Sequence, residues 1–248
     1  MSNKKLNNSH SKFPIVAIAV VLVVTFIGVC WLNTRPPAPR TPVATTVDPV
    51  NQNSQGPNQA LLNAPKGATP PNFLGSETAP VVVEEFADYQ CPSCATVAPI
   101  LKEITSIYGN RIKFVFRNFP LVNIHDKAYD AAVAAEAAGL QDRNKFWEMQ
   151  NQIFKNQAVW SRSGEHKTLF EEYAKLIGLD VERFKSDSAG VVAKSRVDAD
   201  LQRSRDSGVS STPTVFINNV PVPFNQMNVS GMQVLIDAEL KKFSAGSR

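Results

Sequence analysis

Two short β-branched runs with one amphipathic helix between them constrain this chain more than any other feature. Val81-Val82-Val83-Glu84-Glu85-Phe86 and Ile112-Lys113-Phe114-Val115-Phe116 have the composition of strands. From Pro92 onward, Val97, Leu101, Ile104 and Tyr108 recur at helical spacing, and Gly109 supplies a stop. A strand, a helix and a strand in this order predict a parallel pair joined by a right-handed crossover. The strand-to-helix loop then lies at the ligand-facing edge of the sheet. Here that loop runs from Asp88 to Cys91.

The rest of the folded part follows from the same patterning. Between about residues 125 and 207 the chain turns helical, with separate patterns over Ala128–Leu140, Arg143–Asn156, Thr168–Ile177 and Gly190–Ser207. Asp126 is placed to cap the first of these, and the Phe146-Trp147 pair reads as core. Thr214 to Ile217, the turn Asn218-Asn219 and Val220-Pro221-Val222 predict a hairpin, and Met232 to Phe243 a closing helix. The expectation is an α/β domain over residues 73–248, with a helical insertion at about 125–207.

Ahead of this domain the sequence changes character twice. Phe13 to Leu32 is uncharged, and its 20 residues as a helix reach about 30 Å, enough to cross a bilayer. A cleaved signal would have a shorter apolar core and a small-residue cut site, so a retained single-pass anchor is expected at 13–32. Lys4, Lys5 and Lys12 against Arg35 and Arg40 bias residues 1–12 toward the cytoplasm. Val29 stands where a lipidation box before Cys30 would carry a small residue, so Cys30 reads as an apolar member of the span. Nine prolines between Arg35 and Pro71, with no apolar period, predict a disordered linker over 33–72.

Charge excludes one class of partner. The chain carries 26 Lys+Arg and 22 Asp+Glu, but from Phe73 onward the counts are 20 and 21. The basic excess therefore flanks the apolar segment rather than forming a face on the domain, and no nucleic-acid partner is expected.

The chemistry-bearing motif is Cys91-Pro92-Ser93-Cys94, set where the first strand gives way to the helix. A cysteine at a helix N-terminus feels the positive end of the helix dipole, which favours a reactive thiolate at Cys91. Pro92 suits the first helical position, and Cys94, one turn in, is the natural resolving thiol. A purely structural bridge over two residues would close almost no loop. A zinc site needs four ligands, and Cys30, His10, His125 and His166 are the only other cysteines and histidines. A redox pair is the expectation, with neither metal nor cofactor.

Phe86-Ala-Asp-Tyr-Gln-Cys91-Pro-Ser-Cys94, together with Gly208-Val-Ser-Ser-Thr-Pro213-Thr, resembles the DsbA-like branch of the thioredoxin superfamily over about residues 73–243. The resemblance implies a thioredoxin-like fold and a protein thiol-disulfide oxidoreductase that introduces disulfides into reduced secreted polypeptides outside the cytoplasm. It also implies a membrane partner that reoxidises the enzyme. Pro213 would be a cis proline facing the redox pair, with Thr212 bordering the substrate. Glu85, six residues before Cys91, matches a buried acid that would accept the proton of Cys94 when that thiol attacks the mixed disulfide. Glu84 then faces the other way, toward solvent or a surface pair, and Pro99 kinks the helix. One departure matters: Ser93 stands where strongly oxidising members carry His, which implies a milder oxidant. A reductase or isomerase is therefore an alternative, and a redox-inactive binding module is a third reading.

Overall fold

The computed structural model describes residues 57–246. The expected tail, the apolar span at 13–32 and the first part of the linker lie outside these residues. Among the described residues no helix is long and apolar enough to cross a membrane.

The strands are β1 Asn72–Gly75, β2 Val81–Ala87, β3 Ile112–Asn118, β4 Thr214–Ile217 and β5 Val220–Pro221. They form one sheet in the order β1-β3-β2-β4-β5. The helices are α1 Gln59–Asn63, α2 Pro92–Tyr108, α3 Ala128–Gln141, α4 Arg143–Lys155 and α5 Gln157–Trp160. They continue with α6 His166–Leu176, α7 Val181–Ala189, α8 Val191–Asp206 and α9 Val229–Gly246. β2 and β3 are parallel across the α2 crossover, as the patterning predicts, and the other pairings are antiparallel. In the β4–β5 hairpin Asn218 and Asn219 take φ of 47° and 66°, the left-handed pair that a two-residue turn between twisted strands requires.

Alternation along β2 sends successive side chains to opposite faces of the sheet. Val81, Val83 and Ala87 join the main core, where they meet Val97, Leu101 and Ile104 of α2. Phe86 points the other way, into a second cluster with Leu61, Phe119, Val209 and Phe216. Within the insertion, α3 is lined by buried alanines from Ala131 to Ala138, and α4 approaches so closely that a Cβ on Gly139 would meet Phe146 at 3.1 Å. Phe146 and Trp147 are buried, as expected.

The structure corrects the sequence reading at several places. Residues 57–72, assigned to the linker, are packed on the domain: α1 buries Leu61 under the sheet, and Ala68 is buried as well. This strap is held largely by polar bonds to its backbone, which leave no apolar period to read. Arg203 Nη1 donates to the Pro65 carbonyl (2.8 Å), Arg117 Nη1 to Ala68 (3.2 Å) and Arg196 Nη2 to Pro70 (3.0 Å). The Ala68 N–H donates to Asp200 Oδ1 at 2.8 Å, and a Cβ at Gly67 would stand 2.6 Å from that same oxygen.

Glu84 does face away from Glu85, but it is buried, not solvated. The strap and α8 cover that face, and Glu84 accepts from Arg117 Nε (2.7 Å) and from Arg203 Nε and Nη2 (both 2.8 Å). Burial alone would raise its carboxyl, yet the two guanidiniums outweigh this and hold it below the ordinary value. Asp126 is not a helix cap, because α3 begins at Ala128 with Lys127 ahead of it; the Asp126 carboxylate instead bonds Gln90 and Lys127. The last helix of the insertion is preceded by an unanticipated one, α7, capped by Asp180 accepting from the Arg183 N–H.

Candidate active site

Cys91 occupies the N-cap of α2, with extended backbone angles (φ −72°, ψ 121°), and Pro92 takes the first helical position. Its N–H closes a turn onto the Asp88 carbonyl (3.2 Å), and its own carbonyl receives Ala95 N–H (3.2 Å). Cys94, one turn in, is fully buried, while Cys91 retains a narrow solvent face at 7% exposure. Both thiols are free.

The two sulfurs have opposite acidities. A hydrogen bond from the Cys94 thiol is the largest influence on Cys91, and with the N–H groups of Ser93 and Cys94 it overcomes burial and lowers the Cys91 thiol from 9.0 to about 5. The same bond, with burial and the nearby Glu85, drives Cys94 far above the ordinary thiol range. Thr212 completes the sulfur's surroundings. Its carbonyl lies 3.5 Å from Cys91 Sγ and accepts the thiol proton, and its buried hydroxyl has no hydrogen-bond partner. The Thr212–Pro213 bond is cis.

Glu85 lies beneath the pair, 2% exposed, with Oε1 lacking a hydrogen-bond partner. Burial pushes its carboxyl up to about 8, so it is mostly protonated at neutral pH. It forms part of the lining of a cleft of about 390 Å³ between α2 and α4, beside Pro99, Phe114, Trp147 and Phe154. Pro99 sits inside α2.

The structure therefore brings together Cys91, Cys94, Glu85, Thr212 and Pro213, with Pro92 and Ser93 in the turn that joins the cysteines. It also adds residues that the sequence did not single out for the site. Asp88, fully buried, accepts from the Gln90 N–H (2.6 Å), the Leu121 N–H (2.8 Å) and His125 Nδ1 (2.8 Å). Gln157, at the start of α5, donates to the carbonyls of Tyr89 (2.7 Å) and Cys91 (2.9 Å). For Asp88 a signal existed, since a short polar residue entering a turn often bonds the backbone two residues on. Gln157 had none.

A family model described as Thioredoxin matches residues 68–238. The chain belongs to the thioredoxin family. Among curated relatives, it is 35% identical over 178 residues to the "Probable disulfide bond formation protein D" of Bacillus cereus, covering 68% of this chain and 78% of that protein. It is also 34% identical over 148 residues to the Na(+)/H(+) antiporter NhaA 1 of Mycolicibacterium vanbaalenii, covering 59% of this chain and 23% of the antiporter. The chain thus spans about a quarter of the length of such antiporters, and their transport is a property of those proteins. Oxidised BdbD of Bacillus subtilis superposes with a TM-score of 0.61 at 27% identity, covering 72% of this chain and 98% of BdbD. Wolbachia pipientis alpha-DsbA1 shares the fold, with a TM-score of 0.63 at 18% identity over 76% of this chain and 99% of that protein. Within the thioredoxin family the chain is similar in sequence to disulfide bond formation protein D and in sequence and fold to BdbD.

Proposed function

We propose that the chain introduces disulfides into reduced polypeptides on the extracytoplasmic side of a membrane, through the Cys91-Cys94 pair. A substrate thiolate attacks Cys91 Sγ of the enzyme disulfide, the Cys91–Cys94 bond breaks, and Cys94 leaves as a thiolate. The neutral Glu85 carboxyl supplies the proton that Cys94 takes up. A second substrate thiolate then attacks the substrate sulfur of the mixed disulfide and expels the Cys91 thiolate. Two electrons have passed from substrate to enzyme. Thr212 and Pro213 offer an extended substrate a strand edge beside the reacting sulfur.

The observation that carries this reading is the placement of the pair: Cys91 at the N-cap of α2 with a narrow solvent face, Cys94 buried one turn in, and the carbonyl of Thr212, ahead of the cis Pro213, at 3.5 Å from the Cys91 sulfur. A thiol lowered to about 5 is a good leaving group and stabilises the reduced enzyme, which makes the disulfide oxidising. Ser93, where strong oxidants carry His, favours the second reading, a reductase or isomerase of the same fold. The equilibrium potential of the whole chain in detergent against glutathione separates the two. A value well above about −200 mV supports the oxidase, and one near about −270 mV supports the reductase. A pair that does not titrate reversibly removes both.

Residues 13–32 serve in this reading as the anchor and 1–12 as the cytoplasmic tail. The tether shortens to about residues 33–56, because the strap belongs to the domain. A membrane partner that takes electrons from Cys91 and Cys94 completes the cycle, and tethering raises the effective concentration of the two proteins.

A further inference from the structure

The redox loop is gripped residue by residue by elements that lie far from it in sequence. Gln90 donates from Nε2 to Asp126 Oδ1 (3.1 Å) and accepts the Lys127 N–H at Oε1 (2.8 Å), which ties it to the segment that opens the insertion. On either side of Gln90, the carbonyls of Tyr89 and Cys91 both receive the side-chain amide of Gln157. Tyr89 belongs to neither strand nor helix, so its carbonyl has no place in a ladder. The Cys91 carbonyl already accepts the first hydrogen bond of α2.

Gln157 stands on a rigid base. Trp160, three residues on, is fully buried, donates from Nε1 to the Ile153 carbonyl at 2.7 Å, and packs edge-on against Phe170 at 5.3 Å. Asn156, just before it, donates to the Gln152 carbonyl (2.9 Å) at the end of α4. A four-residue helix locked at both ends thus presents one amide to the loop. We propose that Gln157 is a positioning residue for the reactive cysteine: by holding the carbonyls on either side of Gln90, it fixes the Cys91 backbone so that its sulfur stays against Cys94, one turn into α2, and the Thr212 carbonyl at 3.5 Å.

Cys91 Sγ is tuned first by the Cys94 thiol, then by Thr212 and the N–H groups of Cys94 and Ser93, and its place among them depends on the orientation of the Cys91 peptide planes. Gln157 touches no reacting atom and acts only through the loop. Without its amide the loop loses two anchors, the sulfur drifts from its donors, and the thiolate loses stabilisation relative to the thiol. The inference rests on Cys91 being the thiolate nucleophile of the proposed function.

The test uses the full reduced chain in detergent, with iodoacetamide as the probe and the labelled cysteine located by mass. Gln157→Met keeps the volume and removes both donors; Gln157→Glu faces two carbonyls with a carboxylate. The midpoint of Cys91 alkylation against pH is expected to rise by at least half a unit in Gln157→Met and further in Gln157→Glu. Half a unit is about threefold less thiolate below the midpoint. The disulfide equilibrium with glutathione should move by a similar factor toward the oxidised enzyme. Val159→Ala, on the same short helix, should move neither. Unchanged alkylation midpoints and unchanged equilibria in both Gln157 variants, whatever their melting temperatures, would overturn the proposal, because a purely structural amide affects melting alone. If the parent chain itself shows no acidic alkylation midpoint at Cys91, the assignment of the nucleophile fails and takes the role of Gln157 with it.

Discussion

Replacing Glu85 by Gln should change how stability depends on pH, in a direction fixed by where the carboxyl sits. Its folded-state pKa is raised from 4.5 to about 8 by burial. Between those values the folded carboxyl holds a proton that the unfolded one has lost. Stability from the neutral form is therefore fully present below about pH 4.5 and is lost as pH rises through about 8. The slope cannot exceed about 1.4 kcal/mol per pH unit, which integrates to about 5 kcal/mol over the window. Interior relaxation and water entering the cleft beside Glu85 reduce this, and about 2–3 kcal/mol is the working figure. The measurement is urea unfolding of the oxidised chain in detergent from pH 5 to pH 8.5. Oxidation matters because a free Cys91, lowered from 9.0 to about 5, contributes the opposite slope, with stability rising between those values. Glu136, raised to about 7, and Asp200, also raised by burial, slope the same way as Glu85 in both proteins and cancel in the difference. Gln157 and the other grips on the loop are untouched. The variant should match the parent within about 1 kcal/mol at pH 5 and exceed it by about 2–3 kcal/mol at pH 8. Parallel curves would mean that Glu85 is already ionised in the fold, and its part as a proton store for Cys94 would have to be abandoned.

Other consequences are more direct. Iodoacetamide should label Cys91 with a midpoint near pH 5 and leave Cys94 unlabelled below pH 9; a Cys94 that reacts first reverses the assignment of the two sulfurs. Cys94→Ser should accumulate a mixed disulfide with a disulfide-bonded test polypeptide, formed as the Cys91 thiolate attacks that disulfide and expels one of its sulfurs as a thiolate, and visible on a non-reducing gel, whereas Cys91→Ser should accumulate none. Leu61→Ala opens a cavity under Phe86 and Phe216 and should cost about 2–5 kcal/mol in urea unfolding; a loss under about 1 kcal/mol would show that the strap does not close this core. Arg203→Met leaves Glu84 buried with Arg117 alone and should cost about 3–5 kcal/mol, much of it restored by adding Glu84→Gln.

What the sequence disclosed of the fold depended on whether a segment stabilises itself through a repeating apolar pattern. β2, α2 and β3 do, and their order and direction follow from the patterning alone. The strap does not. Leu61 and Ala68 are its only buried apolar side chains, and its other contacts are polar, among them carbonyls held by Arg117, Arg196 and Arg203 and the Ala68 N–H on Asp200. Such contacts have no periodicity, and a proline-rich composition conceals them further. The error at Glu84 has the same origin. Alternation placed it on the correct face, but whether that face meets water depended on α8 and on a segment that read as linker.

The site divides along a similar line. Cys91, Cys94 and Glu85 lie within ten residues of one another, so their chemistry is encoded locally: a strand supplies the acid, a helix start supplies the donors, and a proline supplies the turn. Thr212 and Pro213 lie far off in sequence and, like the role of Glu85, were read through the resemblance, with a proline ahead of a β-run as the one local hint for Pro213. Neither Gln157 nor Asp126, which read only as a helix cap, was legible as part of the site, because they reach the loop from 68 and 36 residues away, one from a short helix and the other from the turn ahead of α3. Yet the local groups set an acidity only if the loop backbone stays in place, and that placement is supplied from outside, by the insertion. A helical insertion between β3 and β4 is therefore more than a cover over the sheet. It makes the acidity of Cys91 depend on packing around Trp160, so substitutions in that distant core that leave the cysteines untouched should still shift the balance between thiol and thiolate.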